Sequence, residues 1–435
     1  MGEDRKEAQF RKMTGERIPG LILSLAVPTI ISMIVTAIYN TADTYFVSKL
    51  GTSASGAVGI VMSLMGLIQS LGFMIGMGSG SWMSRLLGEK KDETASGVAA
   101  SGFYFSLVLG LLVAVMGCCF LDPLVGLLGA TETIRPYARE YAQYILYASP
   151  FLIASFTMNK MLCAEGKARF AMIGIASGGV LNMFLDPIFI FGLKLGIAGA
   201  AIATGLSQIV GFCILLYMFV SGRTIADLRW KNASRHIGMY VRIIESGLPS
   251  FFRQGLASVA TIALNWMAAG YGDAAVSAMA IVSKVFMLIF SVLIGFGQGY
   301  QPVAGYNYGA KRYDRVREAF LFMSVSATVF MAICAVPGYL AAPHLIRLFI
   351  GDDADVVRIG TQALRFQCLT MALLPLNICC NMTFQTIGRT GLATFLSTAR
   401  QGYVFFPAIF LLPHFLGLTG VEAAQPVSDA VAFLI

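Results

Sequence analysis

Two aspartates lie inside apolar stretches of the chain: Asp43 in AVPTIISMIVTAIYNTADTYFV and Asp186 in GGVLNMFLDPIFIF. A carboxylate in hydrocarbon costs about 2.5–3.5 kcal/mol on insertion scales, so a sequence keeps one mainly where it is paired, faces water or titrates. Asn182 stands four residues before Asp186 and Asn40 three before Asp43, spacings that set each amide on the same helix face as its acid. Two such acids, close together at low dielectric, resist simultaneous ionisation. A pair of this kind can load a proton on one side of a membrane and release it on the other. The membrane potential contributes about 2.3 kcal/mol per charge per 100 mV to such a cycle. Thr204, in AAIATGLSQ, adds an oxygen donor. Asp43, Asn182, Asp186 and Thr204 are thus a candidate cation-coupling set, for a proton or for sodium. The competing reading is structural: Asp43 caps the outer end of its helix and Asp186 precedes a proline break.

The elements that must position these acids are membrane spans. The 435 residues are 57% hydrophobic and 12% charged, with a mean hydropathy of +0.74, against about 25% charged in soluble chains. Stretches of roughly 20 apolar residues, enough to cross a bilayer, recur about twelve times. The expected spans are 20–47, 57–81, 97–121, 138–160, 169–192 and 197–220, then 240–269, 275–300, 318–341, 360–386, 392–415 and 420 to the end. The fold class expected is an all-α polytopic membrane protein of two six-helix bundles. Its parts are a polar leader at 1–17, an amino lobe at 18–221, a linker at 222–239 and a carboxy lobe at 240–435, whose last helix is expected to be incomplete.

Charge sorts by loop. One alternating set holds the basic leader, Arg85, Lys90, Lys91, Lys167, Arg169, the Arg223–Arg235 loop, Lys311 to Arg317 and Arg389. The other set is poor in basic residues. By the positive-inside rule the amino terminus is cytoplasmic, and both acids then lie in the outer half of outward-running spans. Sorted in this way, the net charge of +8 marks membrane orientation and not a nucleic-acid surface. Eight scattered cysteines without CxxC spacing read as packing residues. Three lone histidines near span ends suggest no metal site. The acidic run Asp352, Asp353, Asp355 reads as a solvated loop. No GxxxxGK[ST] loop is present, which argues against ATP hydrolysis within the chain.

A shift of 221 residues aligns Pro28 with Pro249, Gly51 with Gly272, Gly78 with Gly299, Gly88 with Gly309 and Lys90 with Lys311. An even number of spans per copy makes the repeats parallel, related by an axis along the membrane normal. The acids are not duplicated: Asp43 falls opposite Leu264, and Asp186 opposite Phe406. Pro28 removes a backbone hydrogen bond inside the first span and is a candidate hinge. Arg253, Lys284 and Arg400 interrupt apolar spans of the second half. They face a cavity, pair with Glu245 or Asp429, or snorkel to an interface.

LAVPTIISMIVTAIYNTADTYFVSKLG and NMFLDPIFIFGLKLGIAGAAIATGLSQ, with GAKRYDRVREA in the second half, resemble multidrug and toxic compound extrusion (MATE) transporters, nearest the bacterial MepA-like and DinF-like branches. The resemblance covers nearly the whole chain. It implies cation coupling at Asp43, Asn182, Asp186 and Thr204. It also implies a drug cavity lined by Asn159 and the first helix, with Tyr39 and Asn40, and bending at Pro28. The acids that some branches use for a carboxy-lobe sodium site have no counterpart in GLPSFFRQG or LLPLNICCNMTFQ, and Arg253 and Lys284 argue against a simple preference for cations as cargo. The expectation is a monomeric secondary antiporter of a bacterial plasma membrane. It exports amphipathic compounds, needs no cofactor beyond the coupling ion, is not an enzyme and binds no nucleic acid. A lipid-linked saccharide flippase is the alternative, and a membrane-embedded transferase a more distant one.

Overall fold

The computed structural model describes residues 2–350 and 353–435, so Asp352 lies outside the described residues. Helices account for nearly all of it. The elements of the amino half are α1 (Gly2–Gly15), α2 (Ile18–Ser48), α3 (Thr52–Gly88), α4 (Asp92–Cys119), α5 (Leu121–Leu127), α6 (Arg135–Ala164), α7 (Ala168–Pro187) and α8 (Gly196–Val220). The carboxy half has α9 (Ile237–Ala269), α10 (Asp273–Gly309), α11 (Tyr313–Leu340), α12 (Ala342–Ile350), α13 (Ala354–Thr370), α14 (Leu374–Ile387), α15 (Thr390–Thr398), α16 (Phe405–Leu416) and α17 (Leu418–Leu434). Long helices are the form such a chain must take, because hydrocarbon offers no partner to an unpaired backbone amide.

Nine membrane-crossing helical segments stand out among the described residues by length and hydropathy alone. Three further rods complete the expected twelve: α6, which carries Arg135, Arg139, Glu140 and Lys160; α9; and the seventeen-residue α17. A short 3-10 turn joins α13 to α14, and a π-turn at Ala399–Tyr403 joins α15 to α16. A second π-turn, Ile188–Gly192, follows α7 directly after Pro187. All eight cysteines are unpaired.

The repeat is visible in local geometry. α3 and α10 are both 37 residues long and start after glycines at φ +117° and +102° (Gly51 and Gly272). Both end in the same cap, with Lys90 and Lys311 in the left-handed region. The next amides donate back to Leu86 and Asn307 at 2.9 and 2.8 Å, a six-to-one closure that satisfies a terminal carbonyl. Asn159 donates to the Ala171 carbonyl at 2.9 Å, and Asn381 to that of Ala393 at 2.5 Å. Two six-rod lobes thus stand side by side about a pseudo-two-fold axis along the rods.

The lobes meet where α2 packs on α10 and α3 on α9. At the end of the molecule that carries Arg85, Lys90 and Lys311, this contact is backbone to backbone. A β-carbon at Gly78 would strike the Ile243 carbonyl, one at Gly299 the backbone of Ala26, one at Gly88 the Tyr306 carbonyl and one at Gly309 the Arg85 carbonyl. The Thr29 hydroxyl crosses the same seam, 2.6 Å from the Gly295 carbonyl. This basic end is sealed. Toward the other end the four helices part around a cavity.

The leader is itself a helix. α1 lies across the basic end and touches both lobes. Gln9 donates to the Glu165 carbonyl at 2.8 Å, and Asn307 and Arg312 donate to the Met13 and Thr14 carbonyls at 3.0 and 2.8 Å. Met13 is fully buried. Lys6 and Glu7 pair with Asp92 and Lys90, both at 3.1 Å. The hydrogen bond from Lys90, with help from Arg11, holds the Glu7 carboxyl below its ordinary range. The stretch after α8 docks on the amino lobe: Glu165 accepts from the amides of Ile225 and Ala226 at 3.0 and 2.8 Å, and Trp230 packs edge-on against Tyr104.

Candidate functional site

The amino-lobe acids come from two adjacent helices, α2 and α7, and both are buried: Asp186 fully, Asp43 at 5% exposure. Their hydrogen-bond shells are incomplete. Tyr141, fully buried on α6, donates to Asp43 Oδ2 at 3.2 Å. Asn182 Nδ2 lies 3.0 Å from Asp186 Oδ1 and 3.3 Å from Thr204 Oγ1. Asp43 Oδ1, Asp186 Oδ2 and Asn182 Oδ1 are buried without any partner. Asp186 feels the charge of Asp43, and Tyr141 feels both acids while bonding to Asp43. The four residues expected from sequence therefore converge, and Tyr141 completes the group.

Orphaned buried acceptors are costly, roughly 1–3 kcal/mol each, and more for a charge. Three of them lie on neighbouring residues here. The donors are hard oxygens, suited to a proton on either carboxyl or to a small hard cation among them. A π-turn stands just beyond Asp186 and Pro187, a feature frequent at functional positions.

The second feature is the cavity between the lobes, about 470 Å³, within the range of small-molecule sites. Its lining comes from both lobes: Thr36, Asn40 and Asn159 on one side, Arg253, Lys284 and Gln367 on the other. Phe73 with Phe156, and Phe286 with Phe290, supply paired aromatic rings at 5.3 and 5.6 Å between centroids. On each of the four interlobe helices the lining residues lie beyond the sealing contacts, toward the loops at Gly51 and Gly272. The cavity thus opens away from the basic end.

Asn159, Asn40, Lys284 and Arg253 all line it as expected. Tyr39 does not. It is 4% exposed and turned into the amino lobe against Gly179, because neighbouring helix positions point about 100° apart. That expectation is corrected: Asn40 takes the cavity and Tyr39 the interior. Pro28 is buried within α2, which runs unbroken across it. Of the intramembrane bases, Arg400 has an acidic partner: Asp429 accepts from its Nε at 2.7 Å and from Gln367 and Gln425 at 2.8 Å each. Residue-type reasoning passed over Lys160 and Glu422, which also line the cavity. The signal was present, since each is a charge within an apolar span.

The MatE family model matches residues 28–188 and 249–410, one segment per lobe. A protein named "Multidrug export protein MepA" from Staphylococcus haemolyticus (strain JCSC1435) is 29% identical over 416 residues, covering 95% of this chain and 91% of its own length. Its namesake in Staphylococcus aureus (strain MSSA476) is 26% identical with the same coverage. Among solved structures, one titled "Outward-facing conformation of a multidrug resistance MATE family transporter of the MOP superfamily" superposes with a TM-score of 0.91 at 28% identity, covering 98% of this chain and 95% of that one.

Proposed function

We propose, since the chain belongs to the MATE family, that it is a secondary active efflux antiporter exporting amphipathic organic compounds in exchange for protons by alternating access. Its place is a bacterial plasma membrane with the basic end cytoplasmic, which leaves the present conformation open to the outside. The observation that carries this reading is the juxtaposition of Asp43 and Asp186, each with an orphaned buried oxygen. Protonation from the outside satisfies those oxygens; release inward resets them. α2 carries Asp43 in one half and packs on α10 in the other, so a change of charge at Asp43 acts on the helix that seals the lobes. Pro28 sits within the sealing stretch itself, between the Ala26 and Ile30 contacts, and is the point where α2 can bend. The relatives named as multidrug exporters support the class of cargo.

The test is dye efflux from proteoliposomes under an imposed pH gradient, with and without sodium. Efflux driven by the pH gradient in sodium-free buffer is the expected result. Efflux that follows a sodium gradient and ignores pH overturns proton coupling.

A further inference from the structure

The central cavity holds more positive charge than the protein neutralises. Lys160, Arg253, Lys284 and Arg400 line it, against a single lining acid, Glu422. Arg400 is answered by Asp429. Among the described residues, Lys160 and Arg253 have no carboxylate within ion-pair reach.

These two come from opposite lobes, on α6 and α9, and both line the cavity. The Lys160 ammonium, 4% exposed, sits over the Phe73 ring at 4.7 Å and donates to Gln298 Oε1 at 2.8 Å. The Arg253 guanidinium donates to Asn381 Oδ1 at 2.8 Å and to Ser250 Oγ at 3.3 Å. All of those partners are neutral. The Arg253 charge reaches the Lys160 ammonium across the seam. A buried charge without a counter-charge is expensive, and two like charges lining one cavity are more so. Neither is required by the scaffold, because the repeat places Met382 opposite Lys160 and Ser32 opposite Arg253. Each keeps donors free: an ammonium has three N–H groups and a guanidinium five.

We propose that Lys160 and Arg253 form an anion subsite between the lobes, taking the carboxylate, sulfonate or phosphate group of an amphipathic ligand. The ligand's aromatic or aliphatic body lies against Phe73, Phe156, Phe286 and Phe290. This rests on the transport reading above and narrows its cargo to compounds bearing a negative group. The anion supplies the missing counter-charge, and by bonding to both lobes it favours the conformation in which they face each other across it.

The test is equilibrium binding in phosphatidylcholine nanodiscs, without any gradient, so that its outcome is independent of coupling. A fluorescein-type anion and a rhodamine-type cation of matched shape are the probes. Tenfold or more preference for the anion is expected. Lys160→Gln and Arg253→Gln each weaken the anion about tenfold, roughly the effect of losing one charge-assisted contact, and leave the cation unchanged or tighter. Lys160→Arg retains anion binding. Equal or tighter binding of the cation, or equal loss of both probes in the Gln variants, overturns the proposal. A second measurement needs no variant: an alkyl sulfonate displaces the anionic dye and an alkyl trimethylammonium of the same chain length does not. The reverse order overturns it. Displacement of the dye by phosphatidylglycerol added to the nanodisc supports the subsite and identifies a lipid headgroup as the anion's source; indifference to that lipid, with the sulfonate effective, assigns it to free cargo.

Discussion

Gly299 of α10 lies directly on the backbone of Ala26 of α2, closely enough that no β-carbon fits between them. The contact joins the lobes at the sealed end, and its counterpart by the repeat is Gly78 on the α9 backbone at Ile243 and Gly247. Substituting Gly299 with Val therefore wedges the seam. Overpacking of this kind costs about 1–3 kcal/mol, borne here by the state sealed at the basic end alone. Hydrogen exchange in the stretches around Ala26 and Gly299 should rise severalfold in the variant, and unchanged protection there would rule out the sealing role.

Asp186→Asn and Asp43→Asn should each abolish gradient-driven efflux, with residual transport at about 1% of wild type or less. Each change replaces a buried acid that lacks a full shell with a neutral isostere, so stability should hold or rise by about 1 kcal/mol. Transport and thermal unfolding measured on the same preparations separate the two effects. Full efflux by either variant sinks the coupling role.

Tyr141→Phe deletes the donor to Asp43 and leaves the ring packed. A single hydrogen bond to a carboxylate is worth about 1.5–3 kcal/mol, so exchange should slow by about tenfold or more while the protein remains folded. Monodisperse protein with wild-type exchange rates would mean that the phenol only fills space.

Arg400→Met should be among the more destabilising single changes, by about 3–5 kcal/mol, because it strands the Asp429 carboxylate on α17. The double change Arg400→Met with Asp429→Leu should recover most of that loss. A thermal unfolding cycle on the four proteins reads the coupling.

Docking of α1 should weaken in acid. The Glu7 carboxyl is held low by Lys90 and Arg11. Its contribution is in full force above the ordinary glutamate range and is lost as pH falls through the depressed folded value. Protection of the α1 amides against exchange should therefore drop on acidification and with added salt, which screens these exposed pairs. Glu7→Gln should remove the pH dependence.

Much of this was legible from residue types. Each of the twelve rods matches one apolar run, with α3 and α10 extending well past theirs at the basic end, since a bilayer leaves the backbone no alternative to the helix and charge marks the ends. The repeat was readable because glycines at close crossings and at left-handed caps cannot drift. Asp43 and Asp186 announced themselves by cost. The same cost applies to Lys160 and Glu422, but a lysine one residue after Asn159 reads as an ordinary helix position until its neighbours are known. The Arg400–Asp429 bond and the placing of Tyr141 on Asp43 depend on which rods adjoin, and that is decided by packing across hundreds of residues. α1 was legible only as a charged leader, because what holds it is the basic end of the assembled bundle.

That last dependence bears on how the molecule is made. α1 is synthesised ahead of the rods, yet Asn307 and Arg312 hold it across sequence separations of 294 and 298 residues. It can dock on the amino lobe early, through Glu165 and Lys90, but must wait for two thirds of the chain before its other half finds a place. Closure of α1 is thus a late event in biogenesis, since contacts of such long range form only after the intervening rods are in place. A nascent chain whose leader is still free has not yet brought its halves together.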